Sequence, residues 1–112
     1  MPHTPFPFPI RGTVIEQVNQ VLQHAIESEA SDIHIEPYEH ALRARFRLDG
    51  VLYVSCQLPV SQKDAIISRI KILAGLDIAE KRRPQDGKIA FTYKNQTYDL
   101  RVWVHFKTSL RV

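Results

Sequence analysis

Apolar residues recur along this chain with two different periods, and the changes of period predict seven segments. Val14, Val18, Val21, Leu22 and Ala25 fall at helical spacing, which predicts a first helix ending near Ser28. Thr13-Val14-Ile15-Glu16 fits a capping box at its start: the Thr13 hydroxyl can accept an otherwise orphaned backbone N–H while Glu16 reaches back. Ile33 and Ile35 then alternate with Asp32, His34 and Glu36, the period of a strand with one apolar face. Leu42, Ala44, Phe46 and Leu48 alternate with Arg43, Arg45, Arg47 and Asp49. Asp49-Gly50 predicts a two-residue hairpin turn, because such turns need positive φ and glycine accepts it freely. The return strand runs from Val51 to Leu58 and Pro59 closes it.

Ser61-Gln62-Lys63-Asp64 is a weaker helix start, followed by a stripe of Ala65, Ile66, Ile70, Leu73 and Ala74, with Gly75 as a natural stop. Lys81 to Gly87 reads as an irregular basic loop ending in a turn. Ile89, Phe91 and Tyr93 then alternate, Lys94-Asn95-Gln96 turns the chain, and Tyr98, Leu100, Val102 and Val104 continue the alternation to His105. The order is α-β-β-β-α-β-β. A small antiparallel sheet with two helices packed on one face would bury both helical stripes, which is an α+β class.

Length adds that the 112 residues make one domain, since compact domains commonly hold about 100–150. Four of the seven prolines lie in the first nine residues, so residues 1–12 are expected to form an extended arm or linker and residues 13–112 the α+β domain. That start lacks a charged region followed by an apolar one and is not a secretory signal, and no apolar run approaches the roughly 20 residues of a membrane span. The one cysteine, Cys56, cannot form an intrachain disulfide, so a reducing compartment is expected. Its neighbours offer no base, and its position on a strand suits a small buried hydrophobe.

A net charge of +3 is too small to mark a nucleic-acid binder by composition, and no nucleic-acid partner is expected. The placement of arginine says more than its number. Residues two apart on a strand share a face about 7 Å apart, so Arg43, Arg45 and Arg47 span about 13 Å. Guanidinium groups in a row suit a phosphate-bearing partner, although a solvated outer face is the commonest fate of such a ladder. Three like charges need compensation, for which Asp32, Glu36 and Asp99 are candidates. Asp32, His34 and Glu36 have the composition of a metal trio, but ligands two apart on one strand do not readily converge on a point about 2 Å from each. No metal site and no catalytic nucleophile–base series is expected. Lys81, Arg82 and Arg83 form a charge run before Pro84, and Trp103, on the polar side of the last strand, is a candidate contact for another domain or chain.

Several separated motifs, in order, carry a resemblance over roughly four-fifths of the chain, from Ile15 to Val102. They are V-N-Q-V-L-Q-H-A-I-E, A-S-D-I-H-I-E-P, R-F-R-L-D-G-V-L, I-S-R-I-K-I-L-A-G-L-D-I-A-E-K-R-R-P-Q-D-G and Y-D-L-R-V. The chain resembles the second N-terminal domain of the traffic ATPases of type II secretion and type IV pilus assembly, the group that includes general secretion pathway protein E.

That resemblance implies a PAS-like domain preceding a RecA-like motor domain in each subunit of a homo-hexameric ring. It implies ATP and magnesium as cofactors of the parent enzyme, with none in this chain. It also implies that arginines of this domain contact ATP phosphates held by the motor domain of the same or a neighbouring subunit. By motif position these are Arg47 and Arg101, with Arg43, Arg45, Arg82 and Arg83 as possible additional basic contacts. Inner-membrane secretion or pilus platform proteins are the implied further partners, and the implied location is cytoplasmic, peripheral at the inner membrane through them. The sequence holds no G-x-x-x-x-G-K-[ST] phosphate loop, so the chain alone is not expected to be an enzyme. After Val102 it reads W-V-H-F-K-T-S-L-R-V where the family continues with a proline-containing loop and a G-E-x-x-V-x-R strand, so Arg111 receives no role. An excised domain or truncated product is expected. The alternatives are a free-standing PAS-like sensor, which would need an interior pocket of convergent polar groups, and a small basic nucleic-acid binder.

Overall fold

The computed structural model describes residues 8–105. Helix α1 (Val14–Glu27) starts with the capping box: Thr13 Oγ1 accepts the Glu16 N–H at 3.1 Å and Glu16 Oε1 accepts the Thr13 N–H at 2.8 Å. Strands β2 (Asp32–Pro37), β3 (Leu42–Leu48) and β4 (Val51–Leu58) form an antiparallel pair of ladders, with β3 between the other two. A single 3₁₀ turn (Val60–Gln62) leads into α2 (Lys63–Leu73), and β5 (Gln85–Tyr93) and β6 (Gln96–Val104) complete the domain. Both two-residue hairpin turns have positive φ throughout, 51° and 82° at Asp49-Gly50 and 50° and 64° at Lys94-Asn95. That twist matches the flanking strands.

The expected α+β class and element order are those of the molecule, with both helices on one face of the sheet. Val18, Val21, Leu22 and Ala25 of α1 and Ile66 and Ile70 of α2 join the inward residues of all the long strands in one core. Phe46 at its centre is fully buried. The sheet order is β1-β4-β3-β2-β6-β5. Two of its pairings are parallel, which pattern alone does not disclose: β6 runs beside β2, and the two-residue β1 (Phe8–Pro9) beside β4. Within the segment expected to be an arm, residues 8 and 9 therefore lie against the sheet and Ile10 is buried; residues 1–7 of that segment lie outside the described residues.

Three local details differ from the pattern reading. The α2 stripe buries Ile66, Ile70 and Lys71, while Ala65 is exposed. No side chain caps α2, because the 3₁₀ turn before it occupies the place where Ser61 would act. Strand β5 begins at Gln85, inside the segment read as loop.

A bulge adjusts the register of β4. Arg45 pairs with Val54 and Ala44 with Cys56, leaving Ser55 as the extra residue. Its buried hydroxyl accepts the Phe46 N–H at 3.3 Å and donates to the Tyr53 carbonyl at 3.0 Å, so the broken ladder leaves no orphan there. Beyond the bulge Cys56 faces the core, where burial pushes its thiol up to about 12 and keeps it neutral. No helix among the described residues is long and apolar enough to cross a membrane.

Gly87 is where α2's exit loop meets the sheet. A Cβ there would sit 2.8 Å from the Ala74 carbonyl oxygen and 3.1 Å from Leu76 Cδ2. The backbone atom cannot move aside cheaply, so Gly87→Ala should destabilise the domain by about 1–3 kcal/mol, read as a lower urea midpoint at unchanged slope. An unchanged midpoint would show that this junction is not closely packed.

Candidate functional site: the helix-free face of the sheet

The face of the sheet away from the helices is ordered by β2, its central charged strand. Asp32 lies opposite Arg47 on β3 and opposite Arg101 on β6; His34 lies opposite Arg45 and Trp103; Glu36 lies opposite Arg43. Register partners project to the same side, so Arg47, Asp32 and Arg101 form one row across three strands. With strands about 4.8 Å apart, the two arginine backbones are about 10 Å from each other.

Each arginine is held by what the row supplies. Arg47 Nε donates to Asp32 Oδ2 at 2.9 Å and its Nη1 to the Gly50 carbonyl at 3.0 Å, so the hairpin turn braces the side chain. Arg101 Nη2 donates to Asp86 Oδ2 at 3.1 Å, and its guanidinium lies 5.0 Å over the Trp103 ring. Arg45 pairs diagonally with Glu36 at 3.6 Å and Arg43 lies over the Tyr38 ring at 5.2 Å. Both Arg43 Nε and Arg45 Nε are buried without a hydrogen-bond partner.

Arg45, Arg47 and Arg101 are thus braced by carboxylates rather than displayed singly. Asp32 and Glu36 are among the compensating acids expected. Asp99, the third candidate expected, does not take that part: the partner of Arg101 is Asp86, which joins this face because β5 starts before it. The carboxylates are themselves partly exposed, Asp32 by 20% and Asp86 by 40%. Pairs of this kind contribute about 0–1 kcal/mol each, little enough for a better anion to displace one partner.

Arg83 is not brought to this row. It lines a cleft with Pro37 and His105, and Pro37 is five residues along β2 from Asp32, about 16 Å. Arg82 stays exposed in the loop, where Glu80 Oε1 accepts the Arg82 and Arg83 backbone N–H groups at 2.7 and 3.1 Å.

A stack of rings occupies the middle of the face. His34 lies parallel to Trp103 (6.0 Å, 13°) and to His105 (5.1 Å, 20°), with His34 Nδ1 2.9 Å from His105 Nε2. Burial, followed by the charges of His105 and Arg47, holds the His34 imidazole below the usual histidine range. Among the described residues no group of three or more His, Cys, Asp or Glu is placed to hold a metal ion.

Comparisons with known proteins place the chain in a family. A family model described as type II/IV secretion system protein matches residues 10–105. Type II secretion system protein E of Xanthomonas campestris pv. campestris is 54% identical over 89 residues, 80% of this chain and 16% of that protein. The type IV pilus assembly ATPase PilB of Myxococcus xanthus is 54% identical over 76 residues, 68% of this chain and 13% of that protein. A putative type II secretion system protein E of Escherichia coli K12 is 49% identical over 89 residues, 80% and 18% of the two chains. The chain therefore spans less than a fifth of the length of these relatives.

The depressed His34 carries a signed pH dependence. The unfolded chain takes up this proton near pH 6.5 and the folded chain only at lower pH, so the stability due to neutral His34 is complete above about 6.5 and falls as pH drops below it. His24, also held low by burial, adds to the same trend. The urea midpoint should therefore fall between pH 7.5 and pH 5.5, and fall less in His34→Gln. Trp103, the one tryptophan, should lose fluorescence as the stacked ring protonates in the wild type alone; an identical profile in His34→Gln would refute the stack.

Proposed function

The chain belongs to the type II/IV secretion system protein family, and we propose that it is the domain of a secretion or pilus-assembly ATPase that supplies arginines to nucleotide phosphates. The observation behind this reading is the Arg47–Asp32–Arg101 row on a face that neither helix covers. In it, Asp32 stands between two arginine positions, with Arg47 bonded to Asp32 and Arg101 to Asp86, and the buried, unpartnered Nε atoms of Arg43 and Arg45 lie on the same face.

The residues fit a polyphosphate. Guanidinium is planar, always charged and able to donate two parallel hydrogen bonds to neighbouring oxygens. The Gly50 carbonyl and the Trp103 ring limit how far Arg47 and Arg101 can swing, which lowers the ordering cost of meeting a ligand. The fit to magnesium is poor: Asp32, Glu36 and Asp86 are each paired with an arginine. In this reading magnesium belongs to the motor domain. ATP held there would bring the phosphoryl group to be transferred to water. Arg47 and Arg101 would neutralise charge on its oxygens and orient them, a positioning and electrostatic role.

The arrangement needs a second domain to present the nucleotide, so the partner is the motor domain of the same or a neighbouring subunit in a homo-hexameric ring. The location is the cytoplasm, at the inner membrane through the secretion or pilus platform. The isolated chain would have no ATPase activity and at best millimolar nucleotide affinity, because a few exposed charged contacts do not offset the entropy of association.

In a full-length protein carrying this domain, Arg47→Ala and Arg101→Ala should each lower ATP turnover at least about tenfold, towards the ~10³-fold losses of arginine fingers. Thermal unfolding should move little beside that loss, because each variant gives up one partly exposed ion pair together with the Gly50 hydrogen bond or the Trp103 contact. Wild-type turnover in both variants would end the phosphate reading.

A further inference from the structure

We propose that the cleft between α2 and the loop after it is a second, separate anion site, built to take a small phosphate-bearing ligand. The sequence offers no pocket of convergent polar groups, but the fold makes one. An open cleft of about 290 Å³ lies at the ends of β2 and β6, lined by Lys63, Ile67 and Lys71 of α2, by Glu80, Lys81 and Arg83 of the loop, and by His105. Lys63, Ile67 and Lys71 are four apart and form one stripe of the helix, so two ammonium groups reach the same side.

Lys71 is the informative residue. It is only 5% exposed, yet the one hydrogen bond its ammonium makes among the described residues is to a neutral acceptor, Nζ to the Glu80 carbonyl at 2.6 Å. An ammonium has three donors, so two remain for a ligand. Lys63 is tethered similarly, Nζ to the Tyr38 carbonyl at 3.0 Å. None of the four cations lining the cleft forms an ion pair with a described residue. On the sheet face, by contrast, Arg45, Arg47 and Arg101 each have a carboxylate. The Glu80 carboxylate, which lines the cleft, is already committed to the Arg82 and Arg83 N–H groups. Burial and the nearby Lys81 hold the Lys71 ammonium below the ordinary lysine range, a strain that an arriving anion relieves.

Charge decides the ligand class. Four cations against Asp64 and Glu80 leave a surplus of two positive charges around one cavity. A phosphoryl group, close to doubly charged at neutral pH, balances that surplus; a single carboxylate does not. The site lies about 16 Å along β2 from the Arg47–Asp32–Arg101 row, so one phosphate cannot occupy both.

The test is a ¹H–¹⁵N titration of the 112-residue chain with inorganic phosphate and then pyrophosphate, with ionic strength held constant by chloride. Saturable shifts are expected at Lys71, at 80–83 and at His105. Lys71→Gln should weaken them about tenfold, the effect of losing one charge-assisted hydrogen bond. Because a buried lysine can also matter for folding, the exposed pair Lys81→Gln and Arg83→Gln is measured alongside and should weaken binding too, while Arg101→Ala should not. Shifts that stay linear with phosphate, that centre on Arg47 and Arg101, or that survive all three cleft substitutions would overturn the site. Equal affinity for succinate would overturn the phosphate class.

Discussion

Charge compensation along β2 is the constraint on which the exposed half of this domain rests. Two helices on one side of a sheet leave the other side to water, and here that side places three arginines on a single strand. Neighbouring guanidinium groups about 7 Å apart repel by roughly 2 kcal/mol at an effective dielectric of about 20. Strand β2 offsets this by placing Asp32 and Glu36 beside them. The parallel entry of β6 then sets Arg101 on the other side of Asp32, while β5 supplies Asp86 as its ion-pair partner, so each of the two arginines in the three-strand row has its own carboxylate.

The same constraint explains why the row is suited to exchange rather than to storage of charge. A carboxylate that is 20% exposed contributes little to stability by pairing, because water screens it and the side chains lose entropy. A phosphate group bears more charge on more oxygens and can displace it without a large loss. Meanwhile the turn carbonyl at Gly50 and the ring of Trp103 keep the arginines in place. In the proposed reading that geometry meets nucleotide phosphates, and a planar guanidinium suits it better than an ammonium would.

Much of this was legible in the pattern of residues. Period-two alternation in β2, β3 and β6 is enough to put Arg47 and Arg101 on polar faces, and the Asp49-Gly50 turn fixes the register of β3 against β4 as far as the bulge at Ser55. What the pattern could not supply was the pairing of strands distant in sequence. Nothing local to Tyr98 to Val104 says that β6 will insert parallel beside β2, so Arg47 and Arg101 could be assigned to one site only through a resemblance. Asp86 was hidden for a related reason: the proline and glycine around it read as loop, while its strand is imposed by the β6 partner. Lys71 was hidden by its type, since a lysine on a helix defaults to solvent. Its spacing from Lys63 and Ile67 was the available clue.

The two cation-rich regions differ in how their charges are satisfied, and that difference predicts different behaviour. On the sheet face an anion must replace an existing carboxylate, so the net gain is small until a second domain fixes the ligand's position. Affinity there would be a property of the proposed assembly. In the α2 cleft the ammonium groups are anchored by neutral carbonyls, so an anion adds to the existing bonds and displaces none. Its binding depends on this domain alone. A ligand in the cleft would also brace the loop 80–83 against α2, next to the Gly87 junction where β5 leaves for the sheet. Strand β5 carries Asp86, the partner of Arg101, so the loop that walls the cleft and the row proposed to meet nucleotide are joined by a few residues of chain.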